Sequence, residues 1–484
     1  MPLSSKPSMP TASRQFIART REALADEHLR IALDKAETGF VNKRRRAIDE
    51  IGAERFDAMR ARGQQAKKTA IAQLPEMLEQ FEREAVARGS RVHWAVDGEA
   101  CNRTITDILR RANCRRVLKG KSMAAEETGL NQALRQAGFV RTETDLGEYI
   151  IQLADEPPSH IIAPAVHKNR AQIRELFLRH HVNLPAQRKL ANPADMVREA
   201  RGELRDKYLQ ADAGIIGSNL LVAATGASLL VTNEGNGDLC ATLPRVLIVV
   251  AGIEKLVADM EDAFAVIRLL ARSATGQSCS NYTSFYSGPQ RKGEVDGPQE
   301  MHFILLDNGR SSMPGEGFAE MLHCIRCGAC LNHCPIYGNI GGHAYGWVYP
   351  GPMGSVLSPL LDGEKIHAAL PNASTFCGRC EEVCPMGIPL PALLRRLRQR
   401  QYAQGIVSPF TRLMLGGHAW LIARPGLNRL VNRLAVWWMR LIARGGRLPR
   451  WANPPPWRKS RVMPAPQGRT MSKLARELEP RSDG

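Results

Sequence analysis

Cys324-Ile325-Arg326-Cys327-Gly328-Ala329-Cys330-Leu331-Asn332-His333-Cys334-Pro335 is echoed further along by Ser374-Thr375-Phe376-Cys377-Gly378-Arg379-Cys380-Glu381-Glu382-Val383-Cys384-Pro385. Both runs contain Cys-x-x-Cys-x-x-x-Cys-Pro, and together they hold seven of the chain's 11 cysteines. Cys101, Cys114, Cys240 and Cys279 stand singly and read as ordinary core or surface residues. A secreted disulfide scaffold is short and spreads its cysteines throughout, whereas tight clusters in a longer chain point to metal. The clusters also mark a change of fold. Gly, Pro and Cys dominate from Arg310 to Pro391, where helical pieces are expected at Gly317–Leu322, Pro359–Ala369 and Leu390–Gln404.

Three thiolates two residues apart wrap one cubane, while a fourth beyond the turn points away. In two-cluster ferredoxins that fourth cysteine ligates the other cluster, and the run ending in Cys-Pro is their signature. The exchange assigns Cys324, Cys327, Cys330 and Cys384 to one [4Fe–4S] cluster, and Cys334, Cys377 and Cys380 to a second. The position three before Cys377, where a complete motif has a cysteine, is Ser374. The second cluster therefore uses Ser374, another side chain or an exogenous ligand, or else is [3Fe–4S]. The competing reading is zinc, with His323, His333 or His343 completing tetrahedral sites.

With 484 residues, the chain exceeds what one hydrophobic core organises, and more than one domain is expected. Residues 1–14 are polar, without the apolar middle of a secretory signal, and read as a disordered leader of a cytoplasmic protein. From Gln15 to Gly89 abundant Ala, Arg, Lys and Glu around spaced apolar residues predict a helical segment punctuated by Gly52 and Gly63. Residues 90–310 alternate short apolar runs with helical ones, which predicts an α/β layer fold with a largely parallel sheet. Strands are expected at Val92–Val96, Val117–Leu118, Glu148–Leu153, Ser228–Thr232, Val246–Ala251 and Met301–Asp307. Helices are expected at Ile105–Ala112, Gly129–Gln136 and Ile253–Leu270. Ile215–Ala224 reads as one apolar run closed by a Thr225-Gly226 turn. An iron–sulfur module, mostly α-helical, occupies residues 311–405, and a basic, Trp- and Pro-rich region residues 406–484.

Ordered matches at Lys121-Ser122-Met123, Thr144-Asp145-Leu146-Gly147-Glu148, Pro158-Ser159-His160 and His167-Lys168 add a family to this reading. More follow at Val231-Thr232-Asn233-Glu234-Gly235-Asn236-Gly237, Gly252-Ile253-Glu254-Lys255 and Asp307-Asn308-Gly309-Arg310. The α/β part resembles the LUD domain, whose fold is similar to that of sugar isomerases and CoA-transferases. The whole chain resembles the LutB-type iron–sulfur subunits of L-lactate oxidation. One departure is Ala224, where the resemblance implies Glu before Thr225-Gly226. The resemblance implies an electron-transfer subunit that works with a Cys-rich redox subunit and a second LUD-domain subunit to convert lactate to pyruvate. The alternative is that the LUD domain itself oxidises lactate; a second alternative is a zinc-bearing nucleic-acid-binding protein. From the residues themselves, Lys121, His160, His167, Lys168, Asn233 and Asn236 are candidates for a carboxylate pocket. The bland reading of the same residues is turn formation and satisfied hydrogen bonds.

The formal charge of +18 suits nucleic acid, anionic lipid or acidic partners alike, and no nucleic-acid motif accompanies the basic clusters. A basic amphipathic helix is expected over Ala419–Ala443, kinked near its start by Pro425, able to dock a partner or lie on the inner membrane surface.

Overall fold

The Ala-rich, charged sequence after Gln15 forms four helices in the computed structural model, which describes residues 15–453 and 461–466. These are α1 (Phe16–Ala25), α2 (Glu27–Asp49), α3 (Ala53–Ala72) and α4 (Leu74–Ala87). Asp26 caps α2 by accepting the Leu29 N–H, and Gly52 at φ +80° separates α2 from α3. Gly63 does not interrupt the helical run. It lies inside α3, where an added Cβ would sit 2.4 Å from Leu269 Cδ1, so its smallness serves close packing against the helix Met260–Ala274. The expected leader and the Pro454-Pro455-Pro456 run lie outside the described residues.

Among the described residues ten strands make two sheets: β1 (Arg91–Ala95), β2 (Arg116–Lys119), β3 (Val140–Glu143), β4 (Ala213–Gly217), β5 (Leu220–Val222), β6 (Ala227–Thr232), β7 (Val246–Gly252), β8 (Leu256–Val257), β9 (Tyr282–Tyr286) and β10 (Glu300–Leu306). The larger sheet runs β1-β10-β7-β4-β2-β3 and is parallel throughout. Its central β7 is buried along its whole length, as a sheet covered on both faces requires. From β2 the chain builds outward to β3, then returns to β4 on the other side. The strand order therefore switches between β2 and β4, and side chains beyond their C-terminal ends border a crevice. The smaller sheet runs β8-β5-β6-β9.

Within the α/β part three expectations are corrected. Glu148–Leu153 is helical, within Leu146–Ala154, because Asp145 accepts the Glu148 N–H and caps a helix there; the third strand is β3 instead. Ile215–Ala224 is not one element, since β4 belongs to the large sheet and β5 to the small one. Ile253–Leu270 begins as a 3-10 turn and β8, and its helix starts only at Met260, after the Asp259 cap. The Thr225-Gly226 turn is present, with Gly226 at φ +58° and an added Cβ 2.2 Å from the Ala85 backbone nitrogen of α4.

The cysteine-bearing segment shares a core with the α/β layers. One hydrophobic cluster joins Phe56 and Ala66 of α3, Val222, Val257, Val266 and Leu269 of the α/β part, and Phe318, Leu331, Tyr345, Val356 and Leu394. The helix expected at Pro359–Ala369 runs instead over Gly351–Asp362, its Pro359 in the last turn and Gly363 ending it. The helix Leu390–Ala403 follows.

The chain divides into two units, one reaching Gln401 and one beginning at Tyr402. The second contains helices Pro409–Ile422 and Pro425–Ile442. Pro425 therefore opens a new helix rather than kinking one, because its fixed φ and missing N–H are tolerated in a first turn. Among the described residues no helix is long and apolar enough to cross a membrane.

At the end of β2, Lys119 is fully buried and its Nζ meets Glu126 at 2.6 Å, Glu143 at 3.1 Å and Glu148 at 3.4 Å. Burial disfavours the ammonium, but the three carboxylates outweigh it and hold the charge. Glu148 is itself driven well above its ordinary value by burial, against the pull of Lys119. Lys119→Met should destabilise the protein by about 3–5 kcal/mol, because it strands carboxylates in the interior. Adding Glu126→Gln and Glu148→Gln should recover part of that loss, as read from urea unfolding midpoints.

Candidate functional site

The two cysteine runs follow the same backbone path. Arg326 at φ 58° and Phe376 at φ 57° each precede a Cys-Gly pair, and Gly328 and Gly378 also have positive φ, at 74° and 80°. Four-residue helices follow each, Ala329–Asn332 and Arg379–Glu382. Non-glycine residues adopt this left-handed conformation at a cost that packing must offset. Stacking supplies part of it. The Arg326 guanidinium lies 5.0 Å from the Tyr349 ring, and Phe376 lies beneath Arg398 at 4.2 Å.

This geometry gathers the sulfurs into two adjoining groups. Cys324, Cys327, Cys330 and Cys384 line one small cavity whose walls include Met353, Ile388 and Leu390. Burial, then the neighbouring Cys384, pushes the Cys327 thiol up to about 12, and Cys330 is raised well above its ordinary value. Thiols in such surroundings become thiolates when a metal centre takes the charge, so this donor set suits a soft, cationic cluster. Cys334, Cys377 and Cys380 form the other group. Burial, followed by Cys334 and Cys377, takes Cys380 up to about 12, whereas the exposed Cys377 is lowered by the Arg379 N–H and Thr375. Cys380 also acts on Cys330, so the groups are neighbours. Ser374 Oγ accepts the Phe376 N–H at 3.1 Å.

The N-terminal helices fix the second run. Arg44 donates to the Val383 carbonyl at 3.0 Å, Arg60 to that of Cys384 at 2.9 Å, and Gln64 to that of Pro385 at 3.2 Å. The histidines considered for zinc have other engagements: His333 Nδ1 donates to the Ala329 carbonyl, and His343 Nε2 to that of Pro157. His323 is held down to about 4 by burial and then Lys67.

Beyond the C-terminal ends of β2, β4 and β7 lies a second cavity of ≈ 370 Å³. Of the six pocket candidates, Lys121, Asn233 and Asn236 line it, and Lys121 Nζ donates to the Ile162 carbonyl at 2.6 Å. The other three lie elsewhere. His160 Nδ1 accepts the N–H groups of Ile162 and Ala163 at 2.9 and 3.1 Å, leaving Nε2 to donate to Asn332 Oδ1 at 3.0 Å. His167 and Lys168 share the Glu156 carboxylate. Ala224 is exposed between β5 and β6, outside the cavity wall, so the missing Glu leaves the cavity's chemistry unaltered.

Further charged groups lie in and behind the wall of this cavity. Glu254 accepts from Arg310 Nε at 2.6 Å and from Arg326 Nη2 at 3.2 Å. Burial would raise Glu254, but the two guanidiniums hold it down to about 2. Arg310 also grips Glu127 with both Nη atoms, at 2.8 and 2.7 Å, and the Tyr349 hydroxyl donates to the same carboxylate. Lys67 of α3 donates to the carbonyls of Glu254 and Leu256, and burial takes it down to about 7. Lys255 lines the cavity, and burial followed by Arg326 lowers it to about 8. Glu254, Lys255 and Arg310 do sit in the quoted family matches, but nothing in the sequence brings Arg326 or Tyr349 to them.

Residues 78–306 match the family model of the LUD domain, and residues 320–388 that of the 4Fe-4S dicluster domain. Lactate utilization protein B of Exiguobacterium sp. is 38% identical over 458 residues, covering 94% of this chain and 96% of that protein. An Escherichia coli protein described as the uncharacterized electron transport protein YkgF is 37% identical over 462 residues, 95% of this chain and 96% of its own. A solved DUF162 family protein from Deinococcus radiodurans, 18% identical, covers 48% of this chain and 98% of its own, with a TM-score of 0.26.

His160 gives a pH test of the seam between the α/β part and the cysteine segment. Burial holds it down to about 4, from 6.5, so between those values the unfolded chain takes up a proton that the folded one refuses. Its contribution is complete above the unfolded value and is lost as pH falls toward the folded one, roughly 2 kcal/mol by about pH 5. His160→Gln keeps an acceptor for Ile162 and does not titrate. Urea unfolding from about pH 7.5 to about pH 5 should therefore show a shallower loss in the variant than in the parent. Equal slopes would contradict the neutral His160.

Proposed function

The chain belongs to the lactate utilization protein B family of LUD-domain iron–sulfur proteins, and from that footing we propose that it is the electron-transfer subunit of an L-lactate-oxidising complex. One observation supports this above others. Two groups of cysteine sulfurs adjoin, one enclosed by apolar side chains and the other reaching solvent at Cys377. Oxidising lactate to pyruvate releases two electrons, and two adjacent one-electron centres can pass them in turn. Two [4Fe–4S] clusters fit the donors. Cys324, Cys327, Cys330 and Cys384 would hold the first, and Cys334, Cys377 and Cys380 the second, with Ser374 or an exogenous group as its remaining ligand. When bound, such clusters supply reversible one-electron transfer. The chain's own residues do the rest. Arg60 and Gln64 hold the Cys384-Pro385 carbonyls, keeping Cys384 turned to the first group, and Met353, Ile388 and Leu390 exclude water around it. Cys377 offers the second group to a partner.

The partners of this reading are a Cys-rich redox subunit and a second LUD-domain subunit, in the cytoplasm. Cleavage of the carbon–hydrogen bond falls to them, since no G-x-G-x-x-G fingerprint of a nicotinamide or flavin site follows a strand in this chain.

Two outcomes test the proposal. Cys384→Ala and Cys327→Ala should remove the same electron paramagnetic resonance signal despite their separation in sequence, while Cys377→Ala removes the other. Loss of only the second signal in Cys384→Ala would refute the exchanged pairing. The purified holoprotein alone should not turn over L-lactate with an artificial acceptor, and addition of its partner subunits should restore turnover. Robust turnover by the chain alone would move catalysis into its LUD domain.

A further inference from the structure

The cavity beyond β2, β4 and β7 and the cavity of the first thiol group share one wall residue, Arg326, which stands in sequence between Cys324 and Cys327. Arg326 is 9% exposed; its Nη2 meets Glu254, and its Nη1 has no hydrogen-bond partner among the described residues. Around the same space Lys255 makes no hydrogen bond or ion pair through its ammonium among the described residues, and the buried Asn236 has an Oδ1 with no partner. The acidic groups of the wall leave the Arg326 Nη1 and the Lys255 ammonium unanswered among the described residues. Glu254 is shared between Arg310 and Arg326, Asp145 accepts the Glu148 N–H, and Glu234 is exposed. A buried donor or acceptor without a partner is costly, and several around one cavity describe the ligand that would satisfy them.

We propose that this cavity binds a small organic carboxylate carrying an oxygen on the adjacent carbon, a 2-hydroxy or 2-oxo acid. Lys255 and Arg326 receive the carboxylate, and the Asn236 amide receives the neighbouring oxygen. The naming of the acid class rests on the lactate-oxidation reading above; the anion site itself rests on the geometry. A lone ammonium and a guanidinium with a spare edge match the charge and the donor-only chemistry of a carboxylate site. An amide can accept from a hydroxyl through Oδ1 or donate to a carbonyl through Nδ2, so one side chain serves substrate and product. At ≈ 370 Å³ the cavity falls near the lower end of the roughly 300–1,000 Å³ common for small-molecule sites. Its place, outside the carboxyl ends of parallel strands at the switch of strand order, is where open α/β sheets bind ligands. No bond is made or broken in this proposal. The acid is held one side chain away from the first thiol group, so occupancy should be felt there.

The test uses the full-length holoprotein, purified anaerobically, with calorimetric titration of L-lactate, pyruvate, propionate and inorganic phosphate. Saturable binding of L-lactate or pyruvate is expected, at least tenfold tighter than propionate or phosphate. Lys255→Met should weaken it tenfold or more, Lys255→Arg should retain it, and His167→Ala, outside the cavity, should leave it unchanged. Binding should also shift the resonance of the cluster whose signal depends on Cys327. Absence of saturable binding of either acid would overturn the inference, as would phosphate binding as tightly, or affinity in Lys255→Met within twofold of the parent. Any of these would leave the relay reading standing, which falls only if the chain alone turns over lactate.

Discussion

Glu254, just beyond β7, takes hydrogen bonds from Arg310 and Arg326, while Arg310 also holds Glu127. These charges are buried, so each depends on the others: removing one partner leaves an uncompensated charge in a low-dielectric interior. The network therefore ties down three segments remote in sequence. Glu127 ends the short helix after β2, Arg310 follows β10, and Arg326 belongs to the first cysteine loop. Tyr349 closes it from the segment between the cysteine runs, by a hydrogen bond to Glu127 and by its ring against Arg326. The position of the first cysteine loop relative to the sheet thus follows from one cluster of ions.

The rest of the architecture reinforces that placement. Lys67 reaches from α3 to the carbonyls beside Glu254, and Arg44 and Arg60 of α2 and α3 reach to the end of the second cysteine run. The N-terminal helices consequently touch both the sheet edge and the thiol groups, and the apolar core runs through all three without a break. The two buried charge clusters differ in purpose. Lys119 gathers three carboxylates around one ammonium beside a separate cavity, whereas the Glu254 cluster sets two guanidiniums around one carboxylate and leaves Arg326 Nη1 without a hydrogen-bond partner among the described residues.

The unit from Tyr402 has another character. Between Val383 and Arg476 the sequence contains no Asp or Glu, and Trp420, Trp437, Trp438 and Leu441 are exposed on its helices. Arg424 lies over Trp420 at 4.0 Å, so arginine and tryptophan partly cover each other. An apolar and cationic surface of this kind has the chemistry to meet an acidic neighbour.

The sequence alone determined the thiol spacing, the helical N-terminus and the α/β alternation, because each is local chemistry repeated at a readable period. Cys-x-x-Cys loops, Ala-rich helices and β-branched runs such as Val246–Ala251 need few distant contacts to be recognised. Local signals also explain the errors. The apolar run Glu148–Leu153 has the composition of a strand, but the Asp145 cap starts a helix ahead of it, and Pro425 starts a helix because a first turn tolerates it. Lys121, Asn233 and Asn236 line the cavity and His160, His167 and Lys168 do not, a division that composition does not reveal. Only tertiary structure decided that His160 pairs with Asn332, that Arg326 faces Glu254, and that Lys255 and Asn236 border the same cavity. The reason is physical: pairing and desolvation depend on which distant segments the parallel sheet brings to one crevice, and no local period in the chain encodes that.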